Sequence, residues 1–255
     1  MPCNAAGKLA LVVSLVCVAA LSGAQRARAE FGARNPRLVL WAWERPESLR
    51  FVDSQTVGIA VLAGSIYLNR TPTLRPRMQS LNVGLHTPLI AVVRLEITRE
   101  TPRQFDAAYV QQVARWIANE AALPQVQAVQ IDFDATQSQR DFYRALLSEV
   151  RARLPKAMPL SITALGSWCL GDDWLRGLPI DEAVPMLFRM GVDRGNIVRA
   201  LAAGDDFREP LCRTSVGVST DEPWPEIARG RRVYVFNPRA WTESSFQTVQ
   251  RRLTP

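Results

Sequence analysis

The sequence predicts an α/β protein, a compact (β/α)8 barrel of the TIM type over residues 30–255, as a single domain. Three observations lead to this prediction. Apolar, strand-like runs alternate eight times with helical or turn-like segments. These runs are rich in Val, Ile and Leu, as parallel strands covered by helices are. No Gly-rich phosphate turn follows the first run, which disfavours the alternative of an open, doubly wound sheet. The range 30–255 is short for a barrel but lies within its span of ~200 to over 400 residues.

The predicted elements follow one another along the chain. The strands share an apolar core and lie at 37–43, 57–68, 89–97, 126–135, 158–165, 182–190, 214–220 and 231–238. Helical spacing of apolar residues predicts helices at 104–122, 138–153, 195–204 and 242–253, a short helix at 222–230, and a short helix or turn at 44–53. Ser138 is the predicted N-cap of the second of these helices. The Pro- and Arg-containing stretch 69–88 predicts a non-helical insertion, a hairpin, between strands two and three.

Residues 1–29 have the features of a secretory signal peptide. A basic start at Lys8 precedes the apolar run "LALVVSLVCVAAL" and the small-residue exit "ARA". The apolar run is shorter than the ~20 residues that span a bilayer, which favours cleavage before Glu30 over a retained membrane anchor. We therefore expect an exported protein, periplasmic or secreted, with no membrane contact after cleavage.

Charge and histidine content exclude several functions. The net charge is +7, and its arginines are scattered without a basic stripe, so no nucleic-acid partner is expected. The single histidine, His86, lies in a turn-like stretch. One histidine is too few for a His-based metal site or a Ser-His-Asp triad. We expect neither a metal nor a cofactor.

Two cysteines, Cys169 and Cys212, remain after the predicted cleavage. Disulfides persist in the compartments to which exported proteins are sent, so a bridge between them is one interpretation. Two separate buried thiols are the other. Because Cys169 follows strand five and Cys212 precedes strand seven, a bridge would require residues 204–213 to climb back over the top of the barrel.

Two aspartates, Asp132 and Asp134, end the fourth predicted strand. Successive strand residues point to opposite faces, so the apolar members of "VQAVQIDFDA" would face the helices and both aspartates the barrel axis. They would then line the C-terminal mouth, where barrel active sites are built. Capping of the following turn, or pairing with arginines, is the structural alternative.

Further polar side chains are predicted at the same mouth. The other candidate site residues end strands or follow them, and they are Glu44, Arg94, Glu96, Arg189, Asp221 and Asn237, with Trp43 and Trp168 as aromatic candidates. On strand six, Arg189 is expected to face inward, opposite Phe188 and Met190. An internal ion-pair network that closes the barrel is the alternative explanation for Arg94, Glu96 and Arg189.

Four motifs, "LWAWERPE", "AVQIDFDAT", "PLSITALGSWCLGD" and "DEAVPMLFRMG", resemble a bacterial family of exported proteins catalogued as domain of unknown function 3142. The resemblance implies a glycosidase-like barrel without a settled activity. The end of the fourth predicted strand, in "AVQIDFDAT", is also distantly similar to that of family-eighteen chitinases, whose fourth strand ends in D-x-D-x-E. Asp132 and Asp134 match the two aspartates and Thr136 stands at the glutamate, or, shifted by two, Asp134 stands at the glutamate.

These observations predict a carbohydrate-active protein of the glycoside hydrolase type, with an oligosaccharide or polysaccharide as partner. Asp134 would be the general acid and Asp132 would orient it, while Glu96 or Glu44 would be the second carboxylate. The residues expected to bind substrate are Arg94, Arg189, Trp43, Trp168, Asp221 and Asn237. The alternative is a non-catalytic glycan-binding or envelope scaffold protein on a degenerate glycosidase barrel, which the altered motif allows.

Overall fold

The computed structural model describes residues 36–253. The predicted signal peptide, and residues 30–35 and 254–255 of the predicted domain, lie outside the described residues. The strands are β1 (Leu38–Ala42), β2 (Glu47–Ser48), β3 (Val57–Tyr67), β4 (Thr73–Pro76), β5 (Leu81–Asn82), β6 (Leu89–Glu96), β7 (Val126–Asp132), β8 (Leu160–Leu165), β9 (Glu182–Met186), β10 (Ser215–Ser219) and β11 (Arg232–Phe236).

Eight parallel strands close into a barrel. Going around it, the order is β1, β11, β10, β9, β8, β7, β6 and β3, and β1 also pairs with β3. The predicted fold class is therefore confirmed, as is the non-helical insertion between strands two and three. That insertion contains β4, which adds to β3 in the antiparallel sense, and β5, which pairs with β2.

The helices lie on the outside of the barrel and match most of the predicted ones. They are α1 (Ala107–Asn119), α2 (Arg140–Arg153), α3 (Gly166–Gly171), α4 (Arg194–Ala202) and α5 (Glu243–Leu253). The predicted short helix at 222–230 is wrong. Pro223 and Pro225 lack the N–H groups that a helix would need there, and the segment is irregular. Among residues 36–253, no helix is long and apolar enough to cross a membrane.

The cap of α2 differs from the prediction. A short 3₁₀ helix, Gln137–Gln139, precedes α2, and Thr136 rather than Ser138 caps it. The Thr136 side chain accepts from the backbone N–H of Gln139, and the Gln139 side chain accepts from the backbone N–H of Thr136 at 2.8 Å. This reciprocal arrangement is a capping box.

Two apolar clusters show which way the strand residues point. The inner cluster fills the barrel and includes Val39, Trp41, Val92, Val184 and Tyr234. A larger outer cluster lies between the strands and the helices. Its β7 members are Val129 and Ile131, followed by Phe133, so the alternation predicted for the fourth strand is observed.

A buried polar network occupies the N-terminal half of the barrel. The carboxylate of Glu182, fully buried, accepts from Arg232 at 2.6 Å, from Tyr234 at 2.7 Å and from Ser161 at 3.0 Å. Gln130 donates to Ser161 at 2.9 Å. Sequence reasoning did not select Glu182 or Arg232. Their pairing below the mouth satisfies both buried charges, while the side-chain oxygen of Gln130 has no hydrogen-bond partner within residues 36–253.

Hydrogen bonds from Arg77 hold the β3–β4 hairpin and the segment after it against the residues that follow β1. Arg77 donates to the carbonyl oxygens of Trp43 (2.6 Å), Arg45 (2.6 Å), Leu62 (3.3 Å) and Gln79 (2.9 Å). The close approach of β4 to β3 needs a glycine at position 64. A Cβ there would lie 3.0 Å from the carbonyl oxygen of Arg75.

The junction between β9 and β10 has the fewest paired residues of the barrel, with Gly217 and Met186 as register partners. The backbone N–H of Leu187 donates to the carbonyl of Gly217 at 2.8 Å, so alternate N–H groups of this segment point toward β10. Pro185 lies two residues before Leu187, where the backbone N–H would also point toward β10, but a proline has no N–H to donate. The proline therefore removes one hydrogen bond from this ladder.

Cys169 and Cys212 form a disulfide with a Cα–Cα distance of 5.8 Å. Both belong to the outer cluster and are fully buried. The bridge was predicted to require residues 204–213 to climb over the top of the barrel, and this is wrong. The two sulfur atoms meet in the layer of helices outside the strands. Helix α3 brings Cys169 into that layer, where the carbonyl of Cys169 accepts from the backbone N–H groups of Arg208 and Glu209.

Candidate functional site

A row of hydrogen-bonded charged and polar side chains crosses three neighbouring strands at the C-terminal mouth. Arg94 on β6 donates to Glu96 at 2.5 Å and to Asp132 on β7 at 2.8 Å. Thr163 on β8 donates to the other oxygen of Asp132 at 2.8 Å. Both Asp132 oxygens are thus engaged, and its side chain is only 10% exposed. Asp132 is a fixed, largely buried carboxylate.

The charged side chains in this row shift one another's pKa. Burial raises the pKa of Asp132, and the charge of Asp134 adds to that rise, although the Arg94 cation and the Thr163 hydroxyl act against it. Burial lowers the pKa of Arg94, but the carboxylates of Asp132 and Glu96 outweigh this effect and its pKa is raised overall. Arg94 therefore stays charged, and the pKa of Asp132 lies above that of an exposed aspartate.

Asp134 follows β7 and differs from Asp132 in its surroundings. It is exposed, and it forms no hydrogen bond or ion pair with residues 36–253. Its charge still acts on Arg94 and Asp132, which shows that the three side chains are close. The mouth therefore holds one fixed carboxylate and, beside it, one that is available to a ligand.

Aromatic rings form the floor and one wall of the mouth. Trp41, with no exposed surface, stacks on Phe236 with ring centroids 4.3 Å apart and closes the barrel axis below. Trp43 lies above it, half-buried, with the Arg94 guanidinium 5.9 Å from its ring centroid. Of the tryptophans expected near the mouth, Trp43 is the one that presents its ring there.

Glu44 and Trp168 lie elsewhere than expected. Glu44 is on the face of the first strand opposite the inward Trp43, and its carboxylate accepts from the backbone N–H groups of Met78 (2.8 Å) and Gln79 (3.2 Å). Glu44 therefore holds the insertion against the end of the first barrel strand. Trp168 is 4% exposed in the outer cluster, where its ring meets Trp174 edge-on at 4.9 Å. Helix α3 carries Trp168 away from the mouth.

On strand six the predicted inward direction of Arg189 is wrong. Phe188 packs with the inner cluster, and Arg189 follows the strand with a backbone φ of 49°. Its exposed guanidinium lies 3.3 Å from Asp221, whose pKa is lowered chiefly by a hydrogen bond from Ser219 and also by Arg189. Arg189 and Asp221 thus form a solvated pair on the rim.

Asn237 also acts between loops rather than inside the mouth. It accepts from Thr220 at 2.7 Å and donates weakly to the carbonyl of Ala240. Its neighbour Phe236 belongs to the inner cluster, so Asn237 points outward and ties the loop after β10 to the loop after β11.

A mouth residue that sequence reasoning missed is Tyr67, at the end of β3. The pairing of β3 with β6 shifts register between Leu62 and Gly64, as a β-bulge does. Before the bulge, Leu62 points inward, while after it Ile66 packs in the outer cluster. Simple alternation from Leu62 would place Tyr67 outside, and the bulge turns it toward the mouth.

Three cavities lie apart from this site. Spaces of about 460 Å³ and 980 Å³ share Arg37, Arg229 and Arg231 at the N-terminal end of the barrel, and one of about 680 Å³ lies beside Gly171 and Glu209. No group of three or more His, Cys, Asp or Glu side chains suited to a metal ion occurs within the described part of the chain.

Residues 86–184 match the model of the family described as Domain of unknown function (DUF3142). The match contains the motif with Asp132 and Asp134 and the motif with Thr163, so the resemblance seen in the sequence is confirmed over this range. The motif "LWAWERPE" lies outside it. No curated protein matches the chain.

Two solved structures are similar to this chain. The spore cortex-lytic enzyme SleL of Bacillus cereus has a TM-score of 0.46 and 16% identity, covering 72% of this chain and 51% of that one. The chitinase domain of the spore coat protein CotE from Clostridium difficile has a TM-score of 0.43 and 15% identity, covering 68% and 62%. The chain spans about half to three fifths of the length of these proteins.

Proposed function

We propose that this chain is an exported carbohydrate-active enzyme of the glycoside hydrolase type, working at the C-terminal mouth of its barrel. The observation that carries the proposal is the contrast between the two aspartates. Asp132 is fixed by Arg94 and Thr163, while the exposed Asp134 has no hydrogen-bonded or ion-paired partner within residues 36–253. Asp134 is therefore available to give a proton to a glycosidic oxygen.

Glu96 is the best candidate for the second carboxylate. Arg94 and Asp132 are register partners on β6 and β7, so Glu96 and Asp134 follow at one height on neighbouring strands. Neighbouring strands lie ~4.8 Å apart, and retaining glycosidases hold their two carboxyl groups ~5–5.5 Å apart. This spacing favours Glu96 as nucleophile or charge stabiliser. The carboxylate of Glu44 binds the backbone of the insertion, which disfavours Glu44 for that role.

The aromatic and cationic groups of the mouth suit a sugar ring. Trp43 and Tyr67 offer flat faces, and Arg94 lies beside Trp43. The exposed pair of Arg189 and Asp221 on the rim would bind substrate hydroxyl groups. The buried disulfide between Cys169 and Cys212 supports export, since such bonds persist in oxidising compartments.

Hydrolysis assays on a panel of bacterial polysaccharides test the proposal. Purified residues 30–255 should release new reducing ends from at least one polymer. Asp134→Asn should lower that rate at least ~100-fold because an amide cannot deliver the proton. Its free energy of unfolding should stay within ~0.5 kcal/mol of the wild type, since Asp134 is exposed.

Asp173→Asn is the matched control, because Asp173 is exposed (85% of its side chain) and begins the short 3₁₀ helix Asp173–Leu175 that follows α3. It should leave the rate unchanged. Hydrolysis that survives in Asp134→Asn would remove the assigned acid.

A non-catalytic glycan-binding protein is the second candidate, and one observation favours it. Thr136, at the place of the glutamate in the chitinase motif, serves as a helix cap instead of a proton donor. Binding of a polysaccharide by the wild type with no release of reducing ends from any polymer would decide for this candidate.

A further inference from the structure

We infer that the β3–β4 hairpin carries a binding subsite for a carboxylate group, built from Arg75, Tyr67 and Thr73, and that the ligand is an acidic sugar polymer. This inference rests on the proposed action on carbohydrate at the barrel mouth and names the substrate class. It starts from the direction in which the hairpin side chains point.

Strand pairing fixes that direction. In the antiparallel pair of β3 and β4, Ser65 is opposite Arg75 and Tyr67 is opposite Thr73, while Ile66 is opposite Leu74. Residues directly opposite each other share a face of the sheet. Ile66 and Leu74 pack with the outer cluster. Arg75 and Thr73 therefore share the mouth-side face with Ser65 and Tyr67.

The same face continues into the candidate site. In the parallel pair of β3 and β6, Ser65 is the partner of Arg94 and Tyr67 is the partner of Glu96. One row of side chains thus runs from Arg75 through Ser65 to Arg94. At ~4.8 Å for each strand, the Cα atom of Arg75 lies ~10 Å from that of Arg94. A polymer held between Glu96 and Asp134 would reach Arg75 with a neighbouring sugar unit.

Arg75 is available to a ligand, unlike Arg94 and Arg77. Arg94 is engaged by two carboxylates, and Arg77 by four carbonyl oxygens. Arg75 is exposed and forms no ion pair or side-chain hydrogen bond with residues 36–253. A guanidinium group binds a carboxylate with two parallel hydrogen bonds, which matches a uronic-acid type of sugar.

The hairpin is held in place, so the subsite is preorganised. On the C-terminal side of β4, the Arg77 side chain donates to the carbonyl of Trp43, and the backbone N–H of Met78 donates to Glu44. On the other side, Tyr109 of α1 donates to the carbonyl of Asn69 at 2.8 Å. Fixed binding groups lose less conformational freedom when a ligand binds than groups on a mobile loop do.

Titration calorimetry with matched polymers tests the inference. The probes are polygalacturonate, alginate and hyaluronate oligomers, each compared with its carboxyl-reduced, uncharged form. The wild type should bind at least one acidic oligomer about tenfold more tightly than its reduced form. Arg75→Gln should abolish most of this preference, since one charge-assisted contact accounts for a factor of about ten.

Arg115→Gln is the matched control, because Arg115 is an exposed arginine on the outer helix α1 and its replacement removes the same charge. It should keep the preference for acidic oligomers. An equal loss in both variants, equal binding of charged and reduced oligomers, or binding of none of them would overturn the subsite. Hydrolysis of a neutral polymer without any acidic preference would refute the subsite alone. Acidic preference without hydrolysis would refute the enzymatic function alone.

Discussion

Replacing Arg77 with methionine should loosen the hairpin that forms one wall of the mouth. Methionine keeps much of the length of the side chain and removes all four hydrogen bonds to backbone carbonyls. Two of these, to Trp43 and Arg45, are short at 2.6 Å and lie in partly buried surroundings. The bond to Gln79 is exposed, and the 3.3 Å bond to Leu62 is long.

The expected loss follows from these differences. A hydrogen bond to a charged group contributes ~1.5–3 kcal/mol when buried. Counting the two short bonds at the lower limit, because the side chain is only half-buried, gives ~3 kcal/mol for Arg77→Met. Burial also lowers the pKa of Arg77, in spite of the nearby carboxylates of Glu44 and Glu47, which is consistent with a partly desolvated cation.

Equilibrium unfolding in urea measures this loss, and limited proteolysis shows where the structure opens. We expect cleavage of Arg77→Met within residues 68–82, with the barrel strands protected. Arg75→Gln, two positions away on the exposed face, should change the free energy of unfolding by less than ~0.5 kcal/mol. If Arg77→Met is as stable as Arg75→Gln, the carbonyl contacts do not hold the hairpin and the preorganised wall is refuted.

Three further changes test other parts of the structure. Replacing both Cys169 and Cys212 with alanine removes a cross-link between residues 43 positions apart. The unfolded chain then gains entropy, and the free energy of unfolding should fall by ~4 kcal/mol. A urea midpoint equal to that of the oxidised wild type would contradict this. Thr136→Val removes the capping box before α2 and should cost ~1 kcal/mol in the same assay, whereas an unchanged midpoint would show that the cap is dispensable. For Asp132, burial raises the pKa, so the folded state binds its proton more tightly than the unfolded state. The free energy of unfolding of the wild type should therefore fall as pH rises from ~4 through the raised pKa. Asp132→Asn should not show this fall. If the wild type and the variant depend on pH in the same way, the pKa of Asp132 is not raised by folding.

The barrel could be predicted from sequence because its signals are local. Each parallel strand is a run of apolar residues followed by a helical or turn-like segment, and the number of such units fixes the architecture. The inward direction of Asp132 was likewise predictable, since β7 alternates regularly between Val129 and Phe133.

The directions of two side chains were missed for different reasons. Tyr67 was not singled out, because the bulge between Leu62 and Gly64, which turns it inward, leaves no signal in the sequence. Arg189 was assigned to the wrong face of a regular alternation, since Val184, Met186 and Phe188 all belong to the inner cluster. Contacts between distant segments were also invisible, such as the pairing of Glu182 with Arg232 and the capture of Glu44 by the insertion. These depend on three-dimensional neighbours that spacing along the chain does not reveal.

The sparse ladder between β9 and β10, weakened by Pro185, has a consequence for the order in which the barrel closes. Two cross-links pass over this junction: the disulfide joins α3 to the segment before β10, and Glu182 of β9 reaches Arg232 of β11. In a reducing compartment the covalent cross-link cannot form, so the junction would open more readily and amide hydrogens of β9 and β10 would exchange faster than those of β6 and β7. With the export proposed above, the barrel would close less tightly at this junction during transport, and oxidation of the two cysteines at the destination would complete its closure.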